Sequence, residues 1–195
     1  NSERENYIIL RLLDAMPLME ALPWLGNFIA GGHMGVRLKA ASIVCQRGWT
    51  PQGKHRQRIE ETLIETIHVV ARLIAMQTEA ERSRYFLLSA ALERERKMNC
   101  ELICCLLSLL AGKGASEIML PLTGEDSPSQ AGLASEAIDS VIDEPLRRPL
   151  KALQAAAEGR QVLGVQPRRH PAEKRFLHLP PPLHHRLRPP GAYQA

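Results

Sequence analysis

Between His55 and Met76 the apolar residues Ile59, Leu63, Ile67, Val70 and Ile74 recur every three or four positions, with no glycine or proline among them. That spacing lines one face of an α-helix and excludes a strand, whose side chains alternate with period two. A helix of this length with one apolar stripe must bury that stripe against other helices or a sheet. No stretch of the chain sustains strand alternation, and aromatics make up only 4% of the residues. The core therefore rests on Leu, Ile, Val, Ala and Met, a composition that favours helices over strands. The expected fold class is all-α.

The same period divides the rest of the chain. A first helix is expected over Ser2–Met16, with Ile9, Leu12, Leu13 and Met16 on one face, and Pro17 ends it. A second runs Met19–Ala30 with Leu22, Leu25 and Ile29 inward. Pro23 falls in its first turn, where a missing amide hydrogen costs least, and Gly31 and Gly32 close it. A third, Val36–Gln46, carries Val36, Ala40, Ile43 and Val44, and Gly48 and Pro51 separate it from the long helix at His55–Met76. A fifth helix is expected over Glu79–Lys97, with Tyr85, Leu88 and Leu92 on its apolar side. The sixth, Asn99–Ala111, is apolar nearly all round and should sit centrally, stopped by Gly112–Gly114. A short helix over Ala115–Leu122, a loop at Gly124–Pro128, a helix over Ser129–Ile142 and a last one from near Pro145 to Gly159 complete the body.

From Arg160 onward the character changes. Residues 160–195 hold seven Lys and Arg against Glu173 alone, a net +6, which leaves −2 of the chain's +4 for residues 1–159. Seven prolines lie between Pro167 and Pro190, and each removes an amide donor and disfavours helix at the residue before it. The reading is a helical domain over 1–159 and a basic, Pro/His-rich disordered tail over 160–195. A nucleic-acid surface on the body is not expected. The tail alone could make weak, salt-sensitive contacts with nucleic acid or an anionic surface.

Few residues suggest chemistry. Cys100 and Cys104 are one helical turn apart beside Cys105, but a zinc site needs four ligands and none completes this set. The four cysteines read as reduced core thiols. Gly112-Lys113-Gly114 lacks the glycine before it and the Ser or Thr after the lysine that a phosphate loop requires. His68 reads as a partly buried polar contact, and Glu60, Glu61 and Glu65 as a solvated face. His170, His178, His184 and His185 lie among the tail prolines, where a packed metal site cannot form. No catalytic, cofactor-binding or metal-binding residue is assigned, and an enzyme is not expected. The apolar run Leu102–Ala111 reaches about half the roughly 20 residues a bilayer span requires.

Four segments carry a resemblance. They are Leu92-Glu-Arg-Glu-Arg-Lys-Met-Asn-Cys-Glu101, Leu106-Leu-Ser-Leu-Leu110, Ser135-Glu-Ala-Ile-Asp-Ser-Val-Ile142 and Asp143-Glu-Pro-Leu-Arg147. With the Arg37-Leu-Lys-Ala-Ala41 start of the third helix, they resemble the HEAT/armadillo-like helical repeats appended to bacterial ATP/ADP-translocase-like or major-facilitator transporters. The resemblance covers residues 80–153 and, loosely, 1–50. It implies antiparallel helix pairs stacked as a short solenoid. It also implies a non-enzymatic scaffold for protein–protein interaction, in the cytoplasm beside a nucleotide or solute transporter at the inner face of the membrane. No transmembrane segment is read in this chain, so a transporter domain would precede Asn1 or belong to a neighbouring chain. The tail after Gly159 matches nothing in that family.

Overall fold

Ser2 and Glu5 exchange hydrogen bonds at the start of the chain: Ser2 Oγ accepts from the Glu5 amide at 3.3 Å, and Glu5 Oε2 accepts from the Ser2 amide at 2.8 Å. This capping box satisfies two orphan amides and sets the start of α1, Glu3–Ala15. The computed structural model describes residues 2–112, 115, 136, 138–140 and 142–162. These lie in one compact unit, residues 1–165; a second unit, residues 166–195, lies outside the described residues. Outside them too are the expected helix over Ala115–Leu122 beyond Ala115, the loop at Gly124–Pro128, and most of the expected helix over Ser129–Ile142. The described residues are helical, with no strand among them.

After α1 come α2 (Leu18–Ala30), α3 (Met34–Gln46), α4 (Gly53–Arg82), α5 (Phe86–Ala111) and α6 (Glu144–Val162). Pro17 contributes its carbonyl to the Glu20 and Ala21 amides, both at 3.1 Å, so α2 begins directly after it. Pro23 consequently falls in the second turn of α2 rather than the first, and the Met19 carbonyl loses its amide partner there. On α1 the buried residues are Leu10 and Leu13, while Leu12 and Met16 face outward, contrary to the expected face. The inward face is centred one step away from that reading.

The largest departure lies between α4 and α5. The sequence suggested a break near residues 77–78 and another near residue 98. Instead α4 runs on to Arg82, and α5 continues from Phe86 through Met98 and Asn99 without interruption. Asn99 is accommodated inside the helix because its Nδ2 donates to the Glu95 carbonyl one turn back, at 2.8 Å. The real break is a Schellman closure, in which the Tyr85 amide bonds the Ala80 carbonyl at 2.8 Å and the Arg84 amide bonds the Glu81 carbonyl at 3.1 Å. Arg84 takes the left-handed conformation, φ 60°, that this closure requires. At the other end of α5, Gly112 takes φ 90° just past the last residue, as the sequence suggests. The last helix also runs beyond Gly159, to Val162.

Helices α1, α3 and α5 touch in succession, as do α2, α4 and α6, and the pairs α1–α2, α2–α3 and α4–α5 join the two series. α3 has buried side chains on most of its circumference, namely Val36, Ala40, Ala41, Ile43 and Val44, because α1, α2 and α5 all pack on it. Leu102, Ile103, Leu106 and Leu107 of α5 are fully enclosed, so this half of the helix is central, as its all-round apolar character requires. Ile138, Ile142, Leu146, Leu150 and Leu153 add to the same core. Three arginines tie helix ends across it. Arg37 Nε donates to the Ile29 carbonyl in the last turn of α2 at 2.9 Å, and Arg47 donates to the Met16 carbonyl at 2.7 Å. Arg56 reaches the Leu110 carbonyl at 3.5 Å and pairs with Glu60 and Asp143.

Candidate interaction surface and thiol cluster

Helices α4 and α5 are 30 and 26 residues long, roughly 45 and 39 Å. Helices α1 to α3 have 13 residues each, roughly 20 Å. The main core therefore cannot cover the whole hairpin. It takes residues Ile59 to Ile74 from α4 and Cys100 to Leu110 from α5 and stops there. From Val69 outward the two helices also hold each other through a second, small cluster of Leu73, Ala80 and Leu92 with Val69 against it.

The rest of the seam in this arm is polar. Arg96 is buried and forms a two-pronged pair with Glu93, Nη2 to Oε1 at 2.7 Å and Nε to Oε2 at 3.1 Å. Glu81 Oε1 accepts from Gln77 Nε2 and from Ser89 Oγ, each at 3.1 Å. Gln77 Oε1 and Asn99 Oδ1 are buried and find no hydrogen-bond donor among the described residues. An acceptor left unpaired in this way costs about 1–3 kcal/mol, and the buried apolar cluster of the arm is much smaller than that of the body.

The arm ends in an apolar tip. Tyr85, Phe86, Leu87 and Leu88 are 64%, 60%, 90% and 48% exposed. Tyr85 and Leu88 were expected on an inward face with Leu92; only Leu92 is buried. The cause is the position of the break, because the four residues open α5 at the point farthest from the core. A helix start with four consecutive large apolar residues cannot turn all of them inward, and that was a signal in the sequence. A second uncovered apolar stripe, Ile8, Leu12 and Met16, runs along the outside of α1 at helical spacing.

Cys100, Cys104 and Cys105 lie on α5 as expected, and Cys45 of α3 joins them. Cys45 Sγ donates to the Cys105 carbonyl at 3.1 Å, across 60 residues of sequence. All four cysteines are free thiols; Cys100 is buried and the other three half-buried. Burial pushes Cys100 up to about 11 and Cys104 up to about 12. The Cys45–Cys105 pair splits. The interaction of the two side chains lowers Cys105 below the ordinary thiol value and raises Cys45, and burial raises Cys45 further. No group of three His, Cys, Asp or Glu able to hold a metal occurs among the described residues.

The remaining candidates do not converge. His68 is exposed on α4, not partly buried as expected, because it projects from the side opposite Ile67 and Val70. Glu61 and Glu65 are exposed, Glu60 pairs with Arg56 at 2.9 Å, and Glu61 accepts from Gln57 at 3.0 Å, so this is a solvated face. Gly112 ends α5, whereas Lys113, Gly114 and the four tail histidines lie outside the described residues. No helix among the described residues is long and apolar enough to cross a membrane. No family model, curated protein or solved structure matches the chain.

Proposed function

We propose that this chain is a helical-repeat scaffold that binds other proteins, and that the tip of the α4–α5 arm is its principal contact. The observation that carries this reading is the exposed run Tyr85–Leu88 with Leu87 at 90% exposure. Consecutive large apolar residues left in water at the end of a projecting helix pair are the mark of an anchor that a partner's pocket or groove receives. The two alternating series of helix contacts support the short solenoid, in which each pair buries its apolar faces only against its neighbours. The uncovered stripe on α1 is then the open end of that stack.

The occupant of the tip is an apolar groove on a protein partner. Site-specific incorporation of a photo-crosslinking residue at Leu87 tests this in the cells of origin. The same residue at exposed Glu61, on a polar stretch of α4, is the control. A discrete protein adduct from position 87 and none from position 61 is expected. It should disappear when Phe86 is replaced by Ser, with the helical spectrum unchanged. Adducts to lipid only, or equal yields at both positions, would overturn the reading.

A further inference from the structure

The α3–α5 contact brings together two thiols that the sequence keeps 60 residues apart. α3 packs on α5, and Ala41, one turn before Cys45 on the same side of α3, is fully buried. Cys45, in the last turn of α3, therefore reaches the α5 backbone itself and donates to the Cys105 carbonyl at 3.1 Å. The two side chains also interact, which lowers Cys105 below the ordinary thiol value. Both residues are half-buried rather than sealed in the core, so a small oxidant has access to them. Cys100, by contrast, is enclosed, which leaves Cys104 as the competing thiol.

We propose that Cys45 and Cys105 are a reversible oxidation site, closing into a disulfide that pins α3 to α5 when the chain meets a peroxide. The roles follow from the asymmetry of the pair. Cys105, lowered below the ordinary thiol value beside Cys45, attacks as thiolate one oxygen of hydrogen peroxide, and the O–O bond breaks. Cys105 becomes a sulfenic acid and the other oxygen leaves as hydroxide, which takes up a proton to become water. Cys45 then gives up its proton and attacks the Cys105 sulfur. The S–OH bond breaks, the S–S bond forms, and a second water leaves. Two thiols lose two electrons and two protons, and one peroxide is reduced to two waters. A dithiol reductant reverses the sequence.

The test uses the full chain, reduced and then exposed to stoichiometric hydrogen peroxide. Intact mass is measured after blocking of the remaining thiols. The expected product has lost two hydrogens, keeps two of its four cysteines open to alkylation, and recovers all four after dithiothreitol. Non-reducing digestion with fragment sequencing should find the bond between Cys45 and Cys105 within one chain. In Cys45→Ser, the same treatment should stop at a sulfenic acid on Cys105 that dimedone traps. A bond from Cys45 to Cys104, a Cys104–Cys105 pair, linkage between chains, or gain of oxygen without loss of two hydrogens would each overturn the proposal.

Discussion

Arg84 stands at the residue where a helix closure most often recruits glycine, with φ 60°. For a residue with a Cβ, the left-handed conformation costs about 1–2 kcal/mol. Replacement by glycine removes that cost and adds about 0.4–1 kcal/mol of unfolded-chain freedom. The Arg84 side chain is exposed, so its loss subtracts little. Arg84→Gly should therefore stabilise the closure by about 0.5–1 kcal/mol. The gain belongs to the arm, whose packing is separate from the main core, so native-state hydrogen exchange is the suitable assay. The amides of Arg84, Tyr85 and Ser89, which bond the Glu81, Ala80 and Tyr85 carbonyls, should exchange about 2- to 5-fold more slowly. Arg84→Val, a branched residue in the same backbone, should speed them. If glycine speeds exchange, or if valine matches glycine, the left-handed turn is not what ends α4.

Three further outcomes follow from the core, from α2 and from the thiols. Leu106→Asp places a charge among fully buried side chains of α5 and should cost about 4 kcal/mol or more, abolishing the cooperative melt by circular dichroism; a native-like melt would show that α5 is not central. Pro23→Ala returns an amide to the Met19 carbonyl inside α2 and should raise stability by up to about 3 kcal/mol in urea unfolding, whereas a loss would mean that the ring's packing outweighs the missing bond. Cys100 is held protonated up to about 11 from an ordinary 9.0, so the unfolded chain ionises first and stability should fall between those values. The fall is at most about 1.4 kcal/mol per pH unit for one thiol, and Cys100→Ala should flatten the alkaline slope relative to the parent chain. An unchanged slope would count against burial as the cause.

Periodicity located the helices well where each turn carries both a stripe and a stop. The ends of α2 and α3 and the central place of α5 were legible in Gly31, in Gly48 and in the apolar run Leu102–Ala111. The α4–α5 break was not, because its left-handed residue is an arginine and no glycine or proline lies between Gly53 and Gly112 to mark it. Nor did Asn99 announce itself as interior, since its compensation is a bond to its own helix. The tip was half legible: four large apolar residues in a row stand out in the sequence, but their exposure depends on where the break falls. The Cys45–Cys105 contact depends on which helices become neighbours, and no spacing within either helix encodes that.

The division between the main core and the arm has a consequence for how a partner could be found. A ligand that binds the folded state at 100 times its dissociation constant stabilises what it needs folded by about 2.7 kcal/mol. Whatever engages Tyr85–Leu88 needs the arm folded, with its Leu73, Ala80 and Leu92 cluster and its polar seam. The cooperative melt of the body is governed by a different set of side chains, from Leu10 to Leu153. A screen that ranks compounds or proteins by the shift they cause in melting temperature would then register a ligand of the tip only to the extent that the arm is still folded when the body melts. The same screen would reward binders of the open stripe on α1, which is built on the main core and reports directly on its stability.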